Sequence, residues 1–69
     1  MTQRNPIDYT HDEIIYTCAA MNRFGGAFAC HIADAAMVAD SFNRKTLLTA
    51  FAGLFHKYGP DSDFYKSNA

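Results

Sequence analysis

Between Gly25 and Asp40 the chain reads GGAFACHIADAAMVAD, apolar around most of a helix and built largely from alanine. Only His31 and Asp34 interrupt it before Asp40. A helix that is apolar nearly all round belongs inside a bundle, with neighbours on more than one side. The stretch 26–39 is therefore expected as a central helix, and the rest of the chain must supply its partners. Phe28, Ile32, Ala36 and Ala39 share one face, Cys30, Ala33 and Met37 a second, and His31, Asp34 and Val38 a third. Replacing Ala33 or Ala36 by Leu is expected to overpack such a core, at about 1–3 kcal/mol.

Two amphipathic segments are available as neighbours. Thr10 with Glu13 three residues on forms a capping box, and His11, Asp12 and Glu13 place negative charge at the positive end of a helix. Ile14, Ile15, Cys18 and Met21 then fall within about a third of the circumference, while Glu13, Tyr16, Ala20 and Arg23 take the other side. This predicts a first helix over 11–23, ended by Gly25-Gly26. Asp40 and Ser41 read as the cap of a third helix over 42–58. Leu47, Leu48, Phe51, Leu54, Phe55 and Tyr58 form its apolar stripe, with Lys45, Thr49, Gly53 and His56 outside. Arg44 begins on the apolar face, where it can pair with Asp40 or lay its stem over the core edge. Tyr58-Gly59-Pro60 is a strong stop.

The expectation is an all-α, compact three-helix bundle, one domain with an ordered core over 10–59. Residues 1–9 are expected as a flexible arm, with Ile7 and Tyr9 able to fold back. The last nine residues, DSDFYKSNA, read as a polar tail. Phe64 and Tyr65 within it either pin the tail to the bundle or form an exposed contact. Because the central helix is apolar on more sides than two short neighbours cover, a homodimer burying the Cys30, Ala33 and Met37 face is also expected.

Composition narrows the function more than any motif does. Six Lys and Arg against seven Asp and Glu in 69 residues leave a formal net charge of -1, no footprint for DNA or an anionic membrane. Two cysteines inside predicted helices are too few for a disulfide scaffold, so both read as reduced and the compartment as cytoplasmic. Neither a secretory leader nor a membrane span is expected, since residues 1–10 lack an apolar run and Asp34 interrupts the central helix.

Cys30 and His31 are adjacent and so diverge by about 100° on a helix, which is poor geometry for a shared metal ion. His11 and His56 lie in other elements, and neither a metal nor any other cofactor is expected. His31 and Asp34 are one turn apart but lack an aligned nucleophile, and a chain this short has little room for a pocket. No enzyme is expected. The candidate contact residues are instead the stripe His31 and Asp34, the outer positions Lys45 and His56, and the acidic-aromatic tail Asp61, Asp63 and Tyr65.

The pattern Gly25-Gly26-Ala27-Phe28, Ile32-Ala33-Asp34-Ala35, Ala39-Asp40 with Asn43, Leu47, Ala50-Phe51 and Lys57-Tyr58-Gly59 resembles small helical proteins of bacteriophage and prophage genomes. Such proteins often carry Pro after the Ala-Phe pair, where this chain has Ala52-Gly53. The resemblance implies a protein that binds a bacterial host protein and inhibits or modulates it, an anti-CRISPR or other anti-defence inhibitor being the specific form. A rigid body presenting about 800 Å² suffices for that. The alternative is a small helix-turn-helix-like DNA-binding regulator reading DNA with the third helix, through Arg44, Lys45 and Thr49.

Overall fold

Thr10 starts the first helix as its sequence predicts. Its hydroxyl accepts from the Glu13 amide at 3.2 Å, and the Glu13 carboxylate accepts from the Thr10 amide at 2.8 Å. In the computed structural model, which describes residues 5–68, helix α1 then runs His11–Phe24. Upstream, Pro6–Asp8 make one 3-10 turn, capped by the Asn5 side chain. Pro6 and Tyr9 are buried, so residues 5–9 lie on the body rather than forming an arm. The remainder of the expected arm, residues 1–4, lies outside the described residues.

Gly25 alone separates α1 from α2, Gly26–Val38. A Cβ on Gly25 would meet the Met21 carbonyl oxygen at 2.6 Å, and Gly26 has a φ of 76°. The first glycine is required by close approach and the second by left-handed backbone. Through this turn α2 folds back on α1, and the two share the most extensive contact between helices. Ala29, Ala33 and Ala36 are the only buried residues of α2. Their small side chains let the two backbones approach closely.

The expected sheathed centre is here corrected. Gly26, Ala27, Phe28, His31, Asp34, Met37 and Val38 are all exposed, so α2 has one wet side. The central element is α1, which touches α2, α4 and α5 and buries Ile14, Thr17, Cys18, Ala20 and Met21. The reason is volume. A helix that offers the core mainly alanine methyls, with Ile32 at the margin, draws in one neighbour closely, whereas α1 spreads larger side chains over a wide arc.

Asp40 caps α3, Ser41–Ala50, accepting from the Asn43 amide at 2.8 Å. Arg44 is half-buried and turns its guanidinium back to the end of α2. Its Nε donates to the Ala36 carbonyl at 3.0 Å and its Nη2 to the Ala39 carbonyl at 3.3 Å, satisfying acceptors left open at the end of α2. The expected single helix 42–58 divides at Phe51, where φ is -114° and ψ 34°, and α4 occupies Ala52–Tyr58. The Phe51 amide still donates to Leu47 O (2.9 Å) and the Phe55 amide to Phe51 O (3.1 Å). The helix therefore kinks without losing phase, and the predicted stripe survives: Leu48, Phe55 and Tyr58 are buried, with Leu47, Phe51 and Leu54 packed at the margin. At the kink the Phe51 ring meets Phe28 edge-on, at 5.9 Å between centroids.

The stop at Gly59 holds for a second reason besides helix termination. A Cβ there would run into the Tyr9 hydroxyl, so the start of the described chain packs directly on the end of α4. Beyond it the expected polar tail is a helix, α5, Asp63–Asn68. Ser62 organises its start: its hydroxyl donates to Gly59 O (2.8 Å) and accepts from the Tyr65 amide (3.2 Å). Phe64 lies against Phe24 (5.4 Å) and Tyr58 (4.9 Å), and Tyr65 meets Tyr16 edge-on (6.0 Å). This cover is why Ala20, on the predicted outer side of α1, is 0% exposed. The fold is all-α, but among the described residues it has five α-helices in place of the expected three with tails.

Candidate interaction surface

The wet side of α2 is a ridge at helical spacing. Ala27, His31, Asp34 and Val38 follow one another at intervals of four, three and four, and all are exposed. After a two-residue link, α3 has exposed residues of its own at Phe42, Lys45, Thr46 and Thr49. Val38 is 86% exposed and Phe42 78%, the highest values among the large apolar side chains described, and Met37 beside them is 41% exposed. Neither Val38 nor Phe42 is needed to fill the core, which closes without them.

Along the outside of α3 lies an open concavity of about 500 Å³. Phe42, Lys45, Thr46, Thr49 and Ala50 line it. The Thr46 hydroxyl donates to Phe42 O at 3.2 Å and the Thr49 hydroxyl to Lys45 O at 2.8 Å. With those protons spent inside the helix, the threonines add methyl surface to the phenylalanine and alanine. A second concavity, of about 340 Å³, opens between the 3-10 turn and the start of α3, where Asp8, Ser41, Arg44 and Lys45 meet. Arg44 is already committed there to the end of α2.

The seven sequence candidates separate into two groups. His31 and Asp34 lie exposed on α2, and Lys45 lies exposed on α3. His56 is half-buried on α4, Asp61 and Asp63 are exposed at the start of the last segment, and Tyr65 is half-buried against Tyr16. Tyr65 is thus an anchor within the chain. The apolar residues that distinguish the corner were not among the candidates. Val38 gave a signal, as the lone large apolar residue on the stripe with His31 and Asp34. Phe42 gave none, because the first turn of a helix carries no periodicity.

The face proposed from sequence for a dimer is also corrected. Ala33 is fully buried within the chain and Cys30 is half-buried, leaving only Met37 of that set at the surface. Burial pushes the Cys18 thiol up to about 11, which keeps it protonated and unreactive at neutral pH. Among the described residues no three His, Cys, Asp or Glu side chains converge as a metal site. No helix among them is long and apolar enough to cross a membrane. Comparison of the chain with protein-family models, with curated proteins and with solved structures returns no match in any of the three.

Proposed function

We propose that this protein is an interaction module that acts by binding another protein surface, with the α2–α3 corner as its contact site. The observation that carries the reading is that Val38 and Phe42, the two most exposed of the large apolar side chains described, stand on either side of the short link between α2 and α3. Scattered single apolar residues are ordinary on a surface, whereas adjacent ones with a polar rim mark contact sites. Asp34, His31 and Lys45 supply that rim. The specific form is an inhibitor of a bacterial host protein, of the anti-CRISPR or anti-defence kind, and it rests on the resemblance of the Gly25–Phe28, Ile32–Ala35 and Lys57–Gly59 segments to phage proteins.

Affinity capture from a bacterial lysate with wild type and Phe42→Asp tests the module. A protein captured by the first and lost by the second is the expected result, and identical captures remove the corner as the site. The inhibitor form has its own assay. Phage plating on a CRISPR-immune host should recover when this protein is expressed, and unchanged plating alongside Phe42-dependent capture removes the anti-CRISPR form alone.

One observation favours the DNA-binding reading as the second choice: a two-residue link joins α2 to α3, whose outer face presents Asn43, Lys45, Thr46 and Thr49. Six basic residues against seven acidic ones, with Asp40 at the head of that helix, weigh against phosphate contacts. A gel-shift assay at low salt with random duplex DNA decides between the two.

A further inference from the structure

We propose that α5 is a strap that opens as one unit about the turn at 59–62 while α1–α4 stay folded, uncovering an aromatic surface on α1 and α4. The proposal does not rest on the reading of the α2–α3 corner. Its first support is how lightly α5 is held. The helix has six residues, well short of the ~12–15 at which an isolated helix becomes even marginal in water. The buried core is assembled from Tyr9 and residues of α1–α4, with none from α5. Rings seat the strap on the body. Phe64 lies against Phe24 (5.4 Å) and Tyr58 (4.9 Å), and Tyr65 meets Tyr16 (6.0 Å). Tyr16, Phe24 and Phe64 each remain more than a third exposed, so water already reaches these contacts.

The turn that carries the strap has one fixed side and one local side. Up to Gly59 the chain is anchored: its amide donates to His56 O at 3.3 Å, and the Tyr9 hydroxyl packs where a side chain would begin. Beyond Gly59 the bonds are short-range. The Ser62 amide and hydroxyl both donate to Gly59 O (2.9 and 2.8 Å), and that hydroxyl accepts from the Tyr65 amide (3.2 Å). The Lys66 amide donates to Ser62 O at 3.2 Å. None of these four bonds reaches α1 or α4. Lifting the rings away leaves α5 below the length at which a helix holds itself, so seating and helix are lost together. That coupling makes the opening all-or-none for the segment, as in other small cooperative units. The open state presents Tyr58, buried when the strap is closed, together with Phe24 and Tyr16.

Amide hydrogen exchange of the full chain, followed residue by residue by NMR at rising sub-denaturing urea, is the test. Relative to their free-chain rates, the Tyr65 and Lys66 amides should exchange at least ~100-fold faster than those at the centre of α1. Their rates should stay nearly flat in urea, because so small an opening exposes little new surface. Phe64→Ala should speed them a further ~5–30-fold. A change in the core separates strap opening from global unfolding. Ile14→Val, where α1 meets Ile7 and Leu48, should speed exchange in α1 by ~2–10-fold and leave Tyr65 and Lys66 unmoved. If those two amides instead follow α1, in urea or in Ile14→Val, α5 opens only when the whole chain unfolds and the proposal falls. It falls also if rates climb steadily from Tyr65 to Ser67, which is fraying from the end. Free-chain rates throughout α5 in the wild type would mean that no closed strap exists.

Discussion

Two sides of this molecule carry large apolar side chains, and they are treated in opposite ways. On the side formed by α1, α4 and α5, Phe64 meets both Phe24 and Tyr58, and Tyr16 meets Tyr65. At the α2–α3 corner, Val38 and Phe42 are left in water. Both carry large apolar side chains, and Tyr16, Phe24 and Phe64 on the first side still expose 45%, 39% and 37% of their surface, so hydropathy alone does not separate the two. Reach does. Beyond Gly59 the chain has enough length to fold back and place two aromatics over α1, whereas the two residues between α2 and α3 allow no such return. Coverage in a small bundle thus follows from which turn has chain to spare.

The difference can be broken from the sealed side first. Phe55 is 0% exposed and the largest of the fully buried side chains described. Phe55→Ala should cost about 3–5 kcal/mol, enough to leave a domain of this size largely unfolded in a thermal melt. A variant that melts within a few degrees of wild type would mean that α4 is not packed as described. A matched pair then sharpens the contrast. Phe64→Ala should destabilise by about 1–2 kcal/mol through lost burial and ring contacts, and Phe42→Ala by no more than about 0.5 kcal/mol. Equal losses in urea unfolding would erase the distinction between the two sides.

Smaller effects test how the corner is held. Arg44→Met keeps the stem but leaves the Ala36 and Ala39 carbonyls without their donor, at about 1 kcal/mol. The same loss from Arg44→Lys would show that the forked donor matters and not the charge alone. The least perturbing probe is the pair of thiols. Half-buried Cys30 should react first with a thiol reagent, and Cys18 only as fast as the protein opens. Because burial raises the Cys18 thiol from 9.0 to about 11, its contribution is fully present below pH 9. It is lost progressively between pH 9 and about 11, as the unfolded chain ionises first. Cys18→Ala should flatten that part of the stability profile.

The parts of the fold legible beforehand were those written in short-range chemistry. Thr10 with Glu13 and Asp40 with the Asn43 amide are caps that need only four consecutive residues, and Gly25-Gly26 and Gly59-Pro60 stop helices by backbone alone. What escaped depends on residues distant in the chain. The kink at Phe51 carries no breaker, since Ala52 and Gly53 permit a helix to continue. Helix α5 spans six residues, too few for a period, and is held by rings on α1 and α4. Ala20 looked outward until α5 covered it. The same limit applied to the proposed contact surface: Asp34 and Lys45 were legible as exposed charges, while the exposure of Phe42 appeared only with the fold.

The guanidinium of Arg44 gives the corner one last property. By tying the final turn of α2 to the opening turn of α3, it sets the hinge between them before anything arrives. In the proposed contact an incoming surface would have only side chains to immobilise and no backbone to order, removing an entropic toll that a floppy loop would impose. Recognition of that kind would be closer to a key meeting a finished lock than to two partners moulding one another.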